Sequence, residues 1–413
     1  MKVVHVTRTD SQGAGLAAYR IHKALKSIGV NSYMLVEEKC HNDDAIFVAD
    51  YGSINVFQYS RNRYFRKIQK ILRKFGLLRT TKEKYDSIYE RLSNKYPLQT
   101  YTSPIAIYDL STHPLVKEAD IIHLHWISGF LDYGTFFKSV KKPIVWTFHD
   151  ENIAFGGYHY YRDSLVYPKQ YQWLENEYWK IKSKALQEAN VNWVALSSVM
   201  KEFCKSNRSL AKFPIDIIHN SVDTTIYYRR DVGRLRNELG IPKENKVIAF
   251  CCYLLRDKRK GLADLVQAVR ILSNKYKVTL LCIGDTSGMR PIEDISMLTV
   301  GCINDENLMA TLLSVADYFA MPSYQEAFAQ TPIEAMACGL PVIAYPCSGT
   351  KELINKENGV ICEDFTVDAL CRGLEQLLST KYNKEKICQY IETYFSPKHI
   401  AEQYLEVYNR IIR

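Results

Sequence analysis

No Cys-x-x-Cys pair occurs anywhere in the chain, although it holds eleven cysteines. An odd count scattered through apolar stretches such as Phe250-Cys-Cys-Tyr253 and Leu281-Cys-Ile283 argues against both a disulfide framework and a zinc site. These cysteines read as small core residues in a reducing cytoplasm. No apolar run of 18 residues is present, and the sequence opens directly on a strand pattern. Neither a spanning helix nor a signal peptide is therefore expected. Gly13-x-Gly15 lacks the third glycine of a dinucleotide fingerprint, which excludes an NAD reading. Acids are missing from Arg61 to Thr80, where Arg61, Arg63, Arg66, Lys67, Lys70, Arg73, Lys74 and Arg79 gather; that local excess nearly accounts for the whole net charge of +9.

What is present suits a globular enzyme. With 413 residues, 47% hydrophobic and 24% charged, the chain is too long for one ordinary core and divides naturally into two domains. Lys2-Val-Val-His-Val-Thr7 reads as a buried strand, and Asp10-Ser-Gln-Gly13-Ala-Gly15 as a turn. A helix is expected over Leu16–Ser27, ended by Gly29, with a second strand at Ser32–Val36. That is the opening of a nucleotide fold. From about 56 to 115 the alternation is interrupted by a basic helical insertion. There Phe65, Ile68, Ile71, Leu72 and Phe75 fall at helical spacing. This stripe can face a core, rest on anionic lipid, or meet nucleic acid.

Strands resume at Asp120–His125, Pro143–Phe148, Asn192–Leu196 and Ile215–Ile218. Two strand ends carry histidines, His125 and His149, where open α/β sheets place ligands. A second series follows at Lys246–Cys251, Val278–Ile283 and Leu298–Val300, with two more around residues 316–345, making five strands in a second doubly wound sheet. Arg259-Lys260-Gly261 opens the helix from Leu262 to Ser273, an arrangement of fixed charge and free N–H groups suited to a diphosphate.

The densest block is Ser323-Tyr-Gln-Glu326-Ala-Phe-Ala-Gln-Thr331-Pro332-Ile-Glu334-Ala-Met-Ala-Cys-Gly339-Leu-Pro341. It reads as a loop bearing Glu326, then a helix with Thr331 as N-cap, Pro332 at the first position and Gly339 at its end. Glu334 is open to two readings: a ligand to a ribose, or the partner of Thr331 in a capping box.

This block, continued through Val342-Ile-Ala to Glu352 and Gly359, resembles the Glu-x7-Glu motif of the large retaining glycosyltransferase family four. The usual family loop is Glu-Gly-Phe-Gly, where this chain has Glu326-Ala-Phe-Ala329. The resemblance implies the GT-B fold: an α/β architecture of two doubly wound Rossmann-like domains facing across a cleft. Residues 1–218 would form the acceptor-side domain, 219–395 the nucleotide-sugar domain, and 396–413 a helix packing back on the first. His219-Asn220-Ser-Val222-Asp223 is similar to the family's interdomain linker, about which closure would exclude water.

By the same resemblance, Gly15, Arg259, Lys260, Glu326, Ala327, Phe328, Ala329 and Glu334 bind the donor, and His149 and Glu326 act at the reacting sugar. Tyr253-Leu254 stands where relatives carry Gly-Arg, so Arg259 or Arg256 would substitute. Phe155-Gly-Gly-Tyr-His159 is similar to an acceptor-side loop, whose glycines imply mobility. The absence of Asp-x-Asp fits a reaction without metal or other cofactor, with Arg and Lys neutralising the leaving diphosphate.

The expected partners are a nucleotide-sugar donor, a saccharide acceptor linked to polyprenyl diphosphate, and an anionic membrane surface held through 61–80, with no nucleic acid. The protein would lie on the cytoplasmic face of the membrane. The competing readings are a phosphorylase or epimerase on the same double sheet, and a catalytically silent membrane- or nucleic-acid-binding protein.

Overall fold

The computed structural model describes residues 1–49, 81–187, 189–206, 210–347 and 349–412. The basic stretch 61–80 lies outside the described residues. The chain divides into two compact units. Met1–Ala195, Lys201–Ile217 and the chain from Tyr404 onward form the first; Leu196–Met200 and Ile218–Gln403 form the second.

The first unit is built on a parallel sheet: β1 (Lys2–Thr9), β2 (Asn31–Glu38), β3 (Ile46–Val48), β4 (Ile121–Leu124), β5 (Ile144–Phe148), β6 (Val191–Ala195) and β7 (Ile215–Ile217). Their order is β3-β2-β1-β4-β5-β6-β7. Every residue of β4 and β5 is buried, as strands covered on both faces require. Strand order reverses where β1 pairs with both β2 and β4, which opens a crevice at their carboxyl ends.

The first helix spans Gln12–Ser27, four residues earlier than its apolar pattern predicts. Its opening is kinked at Gly13, with φ 41°. Gly15 has to be glycine for packing: a Cβ there would lie 2.4 Å from the carbonyl oxygen of Thr9. The buried face is made largely of Ala17, Ala18, Ile21, Ala24 and Leu25, whereas Leu16 and Tyr19 are only half-buried. Within the expected insertion, a helix over Thr81–Lys95 supplies Tyr85 to a cluster with Tyr101, Tyr158, Tyr171 and Tyr178.

The second unit holds β8 (Lys246–Leu254), β9 (Val278–Asp285), β10 (Ser296–Val300), β11 (Tyr318–Met321), β12 (Val342–Ala344) and β13 (Gly359–Ile361). All are parallel, in the order β10-β9-β8-β11-β12-β13, so the reversal falls between β8 and β11. Six strands replace the expected five among the described residues. The addition, β13, begins at Gly359, where a Cβ would sit 2.0 Å from the Val342 carbonyl oxygen. The last helix runs Pro397–Ile412 and buries Ile400, Tyr404, Val407 and Tyr408. Among the described residues, no helix is long and apolar enough to cross a membrane.

Candidate active site

In the second unit the site is assembled at the strand-order reversal. After β8 the chain makes a short 3-10 turn, Lys258–Lys260, capped by Asp257, whose carboxylate accepts from the Arg259 N–H at 2.9 Å. Gly261 then takes φ 75°, and a Cβ on it would lie 2.0 Å from the Pro322 carbonyl oxygen. Only glycine meets both demands. The Tyr324 N–H donates to the Arg259 carbonyl at 2.9 Å, so the basic turn is fastened to the loop after β11.

That fastening brings Glu326 to the cations. Lys260 Nζ lies 2.5 Å from Glu326 Oε1, and Arg259 Nη1 lies 3.4 Å from the same oxygen while donating to the Gln325 carbonyl at 2.9 Å. Glu326 is only 8% exposed. Burial opposes its ionisation, yet the adjacent Lys260 and Arg259 hold its carboxyl below the usual range. The result is a compact charge cluster in which Glu326 faces both cations and Asp257 also pairs with Arg259, Oδ2 to Nη2 at 3.4 Å.

The helix after this loop covers Gln330–Ala337, and its N-cap is Ala329, with no side-chain cap bond. Thr331 is therefore not the cap, Pro332 is the third helical residue, and Glu334 is the fifth. The helix starts earlier because the backbone of Ala329 is already extended (φ −69°, ψ 141°). A capping box joins the cap to the third position, so this geometry does not form one with Glu334. Glu334 is 5% exposed. Burial, followed by the charge of Glu334, pushes the Cys251 thiol up, which puts that carboxylate near the end of β8. At the other end, Gly339 (φ 79°) donates to Met336 and Leu340 to Ala335, a Schellman ending.

Phe328 turns inward: its ring stacks on His219 at 4.8 Å between centroids, and its carbonyl accepts from Asn220 at 3.0 Å. The Ala327 carbonyl accepts from Ser197. Arg256 is exposed, and its guanidinium lies beside Gly288.

In the first unit the carboxyl ends of β4 and β5 carry His125 and His149, whose Nδ1 and Nε2 are 3.0 Å apart. His125 Nε2 is in turn 2.9 Å from His5 Nδ1 on β1. Burial pushes the His149 imidazole down to about 4, partly opposed by the charge of Asp150. Asp150 was not singled out by sequence reasoning, yet it organises the following loop. It accepts from Trp126 Nε1 at 2.8 Å, from the Asn152 N–H at 3.0 Å, and bonds His159 Nδ1 at 2.5 Å.

The Gly156-Gly157 loop is tied down, contrary to the mobility expected of it. The carboxylate of Glu175 accepts from both glycine N–H groups. A Cβ on Gly156 would lie 2.2 Å from the Glu175 carbonyl oxygen, and one on Gly157 2.3 Å from the Tyr101 ring. Buried Lys182 completes the clamp, donating to the Asn152 carbonyl (2.9 Å), Asn152 Oδ1 (2.7 Å) and the Phe155 carbonyl (3.0 Å). The glycines serve close packing. The signal available in the sequence was Glu175 and Lys182 on one long helix, seven residues apart.

Two doubly wound parallel sheets in one chain define the GT-B class of fold. The family model "Glycosyl transferases group 1" matches residues 245–380, and the chain is a glycosyltransferase carrying that domain. It is 23% identical over 355 residues to the N-acetyl-alpha-D-glucosaminyl L-malate synthase of Bacillus anthracis, covering 80% of this chain and 86% of that one. It is 27% identical over 182 residues to the capsular polysaccharide biosynthesis glycosyltransferase CapM of Staphylococcus aureus, covering 41% of this chain and 47% of that one. Among solved structures, Anabaena HepE in complex with UDP-glucose superposes with a TM-score of 0.64 at 15% identity, covering 99% of this chain and 100% of that chain.

Proposed function

We propose that this chain is a retaining glycosyltransferase that transfers a sugar from a nucleotide sugar to a saccharide carried on polyprenyl diphosphate, in the synthesis of a bacterial surface polysaccharide. The observation that carries the reading is the cluster of Arg259, Lys260 and Glu326 around Gly261 at the strand-order reversal of the second sheet. Two cations and a helix start offer a diphosphate the charge neutralisation that a metal gives in other enzymes, so no metal or other cofactor is required. Glu326 accepts hydrogen bonds from the donor sugar, and Glu334 from the ribose. Ala327, Phe328 and Ala329 give the backbone of that loop. In the first unit, Gly15 brings the helix start close to β1, and His149 stands at a strand end for the reacting sugar. The bond from the anomeric carbon to the diphosphate breaks as the acceptor oxygen bonds on the same face, and the departing phosphate oxygen takes the acceptor proton.

HepE was solved with UDP-glucose, and CapM by its name belongs to capsule synthesis; both support a nucleotide-sugar donor and a polysaccharide setting for this chain. Peripheral attachment to the cytoplasmic face rests on the eight cations of 61–80 in the sequence, each worth about 1 kcal/mol near an anionic surface. Salt-sensitive sedimentation with anionic but not neutral vesicles is the expected behaviour.

The deciding experiment is a thermal-shift screen against UDP-, GDP- and ADP-sugars in the presence of a chelator. A true donor at 100 times its Kd stabilises the folded state by about 2.7 kcal/mol. Absence of any shift, or donor turnover abolished by the chelator, would refute the metal-free donor site.

A further inference from the structure

Three histidines from adjacent strands form one hydrogen-bonded row. His5 Nδ1 lies 2.9 Å from His125 Nε2, and His125 Nδ1 lies 3.0 Å from His149 Nε2. His5 and His125 are 0% and 2% exposed, while His149 is partly exposed and ends the row. At the inner end, His5 Nε2 is buried with no hydrogen-bond partner among the described residues. His5, His123 and His125 offer nitrogens within 4.8 Å of one another, a spacing a metal could use. However, His123 has both nitrogens engaged, with the Tyr408 hydroxyl at 2.6 Å and Thr147 Oγ1 at 2.8 Å. His125 likewise has both engaged in the row. The arrangement is therefore a hydrogen-bond chain.

Such a chain has a direction. A neutral imidazole carries one N–H and one lone pair, so two consecutive bonds between three rings force all protons to point the same way. If they point inward, His5 Nε2–H is a buried donor without an acceptor. If they point outward, the unpartnered atom is only a lone pair. Orphaned buried N–H groups are the rarer defect, because the donor loses its water without compensation. The outward direction follows: His5 Nδ1–H donates to His125, and His125 Nδ1–H donates to His149 Nε2. His149 is then left with its proton on Nδ1.

We propose that the buried pair His5–His125 fixes the tautomer of His149, so that His149 offers Nδ1–H as a hydrogen-bond donor to a substrate hydroxyl or phosphoryl oxygen and does not serve there as a general base. His5 and His125 are positioning residues in this scheme. The functional half rests on the reading that His149 meets the reacting sugar; the tautomeric half does not. Burial keeps all three imidazoles well below their ordinary titration range, which is consistent with a neutral row. An outward-facing donor of this kind leaves the acceptor proton to the departing phosphate.

The test is ring-nitrogen NMR on the full chain labelled with 15N-histidine, at about pH 7.5, above the ordinary imidazole range. The His149 signal is assigned by its loss in His149→Gln. The expected wild-type pattern is Nδ1–H for His149 and for His125. An Nε2–H tautomer or an imidazolium at His149 overturns the proposal from the wild-type spectrum alone, with no variant needed. In His125→Phe, His149 should shift toward Nε2–H, and kcat should fall by up to about tenfold, the worth of one hydrogen bond, with donor KM unchanged. An unshifted tautomer in that variant also overturns it. Full turnover in His149→Gln overturns the functional half through the parent reading, and the wild-type spectrum still reports separately on the row.

Discussion

Lys260 Nζ and Glu326 Oε1 lie 2.5 Å apart, so the cation assigned to the donor diphosphate already has a carboxylate partner. A diphosphate that binds here must draw Lys260 away from Glu326 or share it. Lys260→Ala removes one charge-assisted contact, worth about 1.5–3 kcal/mol, or roughly 10- to 100-fold in nucleoside-diphosphate Kd. Transfer slows and the fold survives, because Lys260 is partly exposed and Arg259 still faces Glu326. Calorimetric titration checks this; wild-type affinity in the variant would put the diphosphate elsewhere.

The two carboxylates should separate in kinetics. Glu326→Gln lowers kcat, because hydrogen bonds to the sugar strengthen as positive charge develops at the anomeric carbon. It also releases Lys260 from its counter-charge, while Arg259 keeps Asp257 at 3.4 Å, so nucleoside-diphosphate affinity should rise. Glu334→Gln should instead raise donor KM more than it lowers kcat. The capping-box alternative requires a stability loss of up to about 1 kcal/mol with unchanged affinity. The helix start at Ala329 favours the first outcome, and melting temperature and nucleotide Kd measured on Glu334→Gln distinguish them.

Lys182→Met should destabilise the first unit by about 3 kcal/mol and loosen the Gly156-Gly157 loop. The substitution keeps the length of the side chain but takes the donor from Asn152 Oδ1 and the Phe155 carbonyl, while the Asn152 carbonyl keeps the Phe155 N–H at 3.1 Å. Burial pushes the Lys182 amine down to about 7, while its three acceptors match the three N–H groups of the ammonium form. Protease cleavage within 150–160, faster in the variant than in wild type, is the direct readout.

Acid should unfold the first unit early. Burial holds His22 at about 4, against its unfolded value near 6.5, with the Asp43 carboxylate only partly offsetting it. Between those values the unfolded chain binds the proton and the folded chain does not, so stability falls as pH drops through the window. His22 alone contributes roughly 3 kcal/mol to that loss by pH 4. His149 adds a similar dependence. Denaturant midpoints measured from about pH 7.5 to 4.5 should decline steadily, and His22→Gln should flatten the slope.

Much of this was legible in the sequence because it was local. Apolar runs located the long strands, and Gly29 and Gly339 marked helix ends through their positive φ. Arg259, Lys260 and Glu326 were named together only because their surroundings resemble a known family; spacing alone does not join positions 67 apart. Strands β3 and β13 were missed because three residues leave no periodicity to read. The side chain of Thr331 favours a cap, but the extended backbone of Ala329 takes that place. The His5–His125–His149 row depends on which strands neighbour β1 and in what register, facts that no local pattern carries. The glycines of residues 156–157 pointed to motion because their meaning lay in Glu175 and Tyr101, whose approach is set by tertiary packing.

The final helix bears on the order in which the molecule can mature. Tyr408 bonds His123 from 285 positions further along the chain, and Tyr404 bonds Thr147 at 3.0 Å. Both tyrosines are synthesised after the whole second unit, whereas domains generally fold as they emerge, N-terminal first. Until then the nascent first unit holds His123 Nε2 and Thr147 Oγ1 to each other, without the two tyrosine hydroxyls and the helix that carries them. Completion of the first core therefore waits on a segment made after the second unit, although every strand of its sheet is made before that unit's strands.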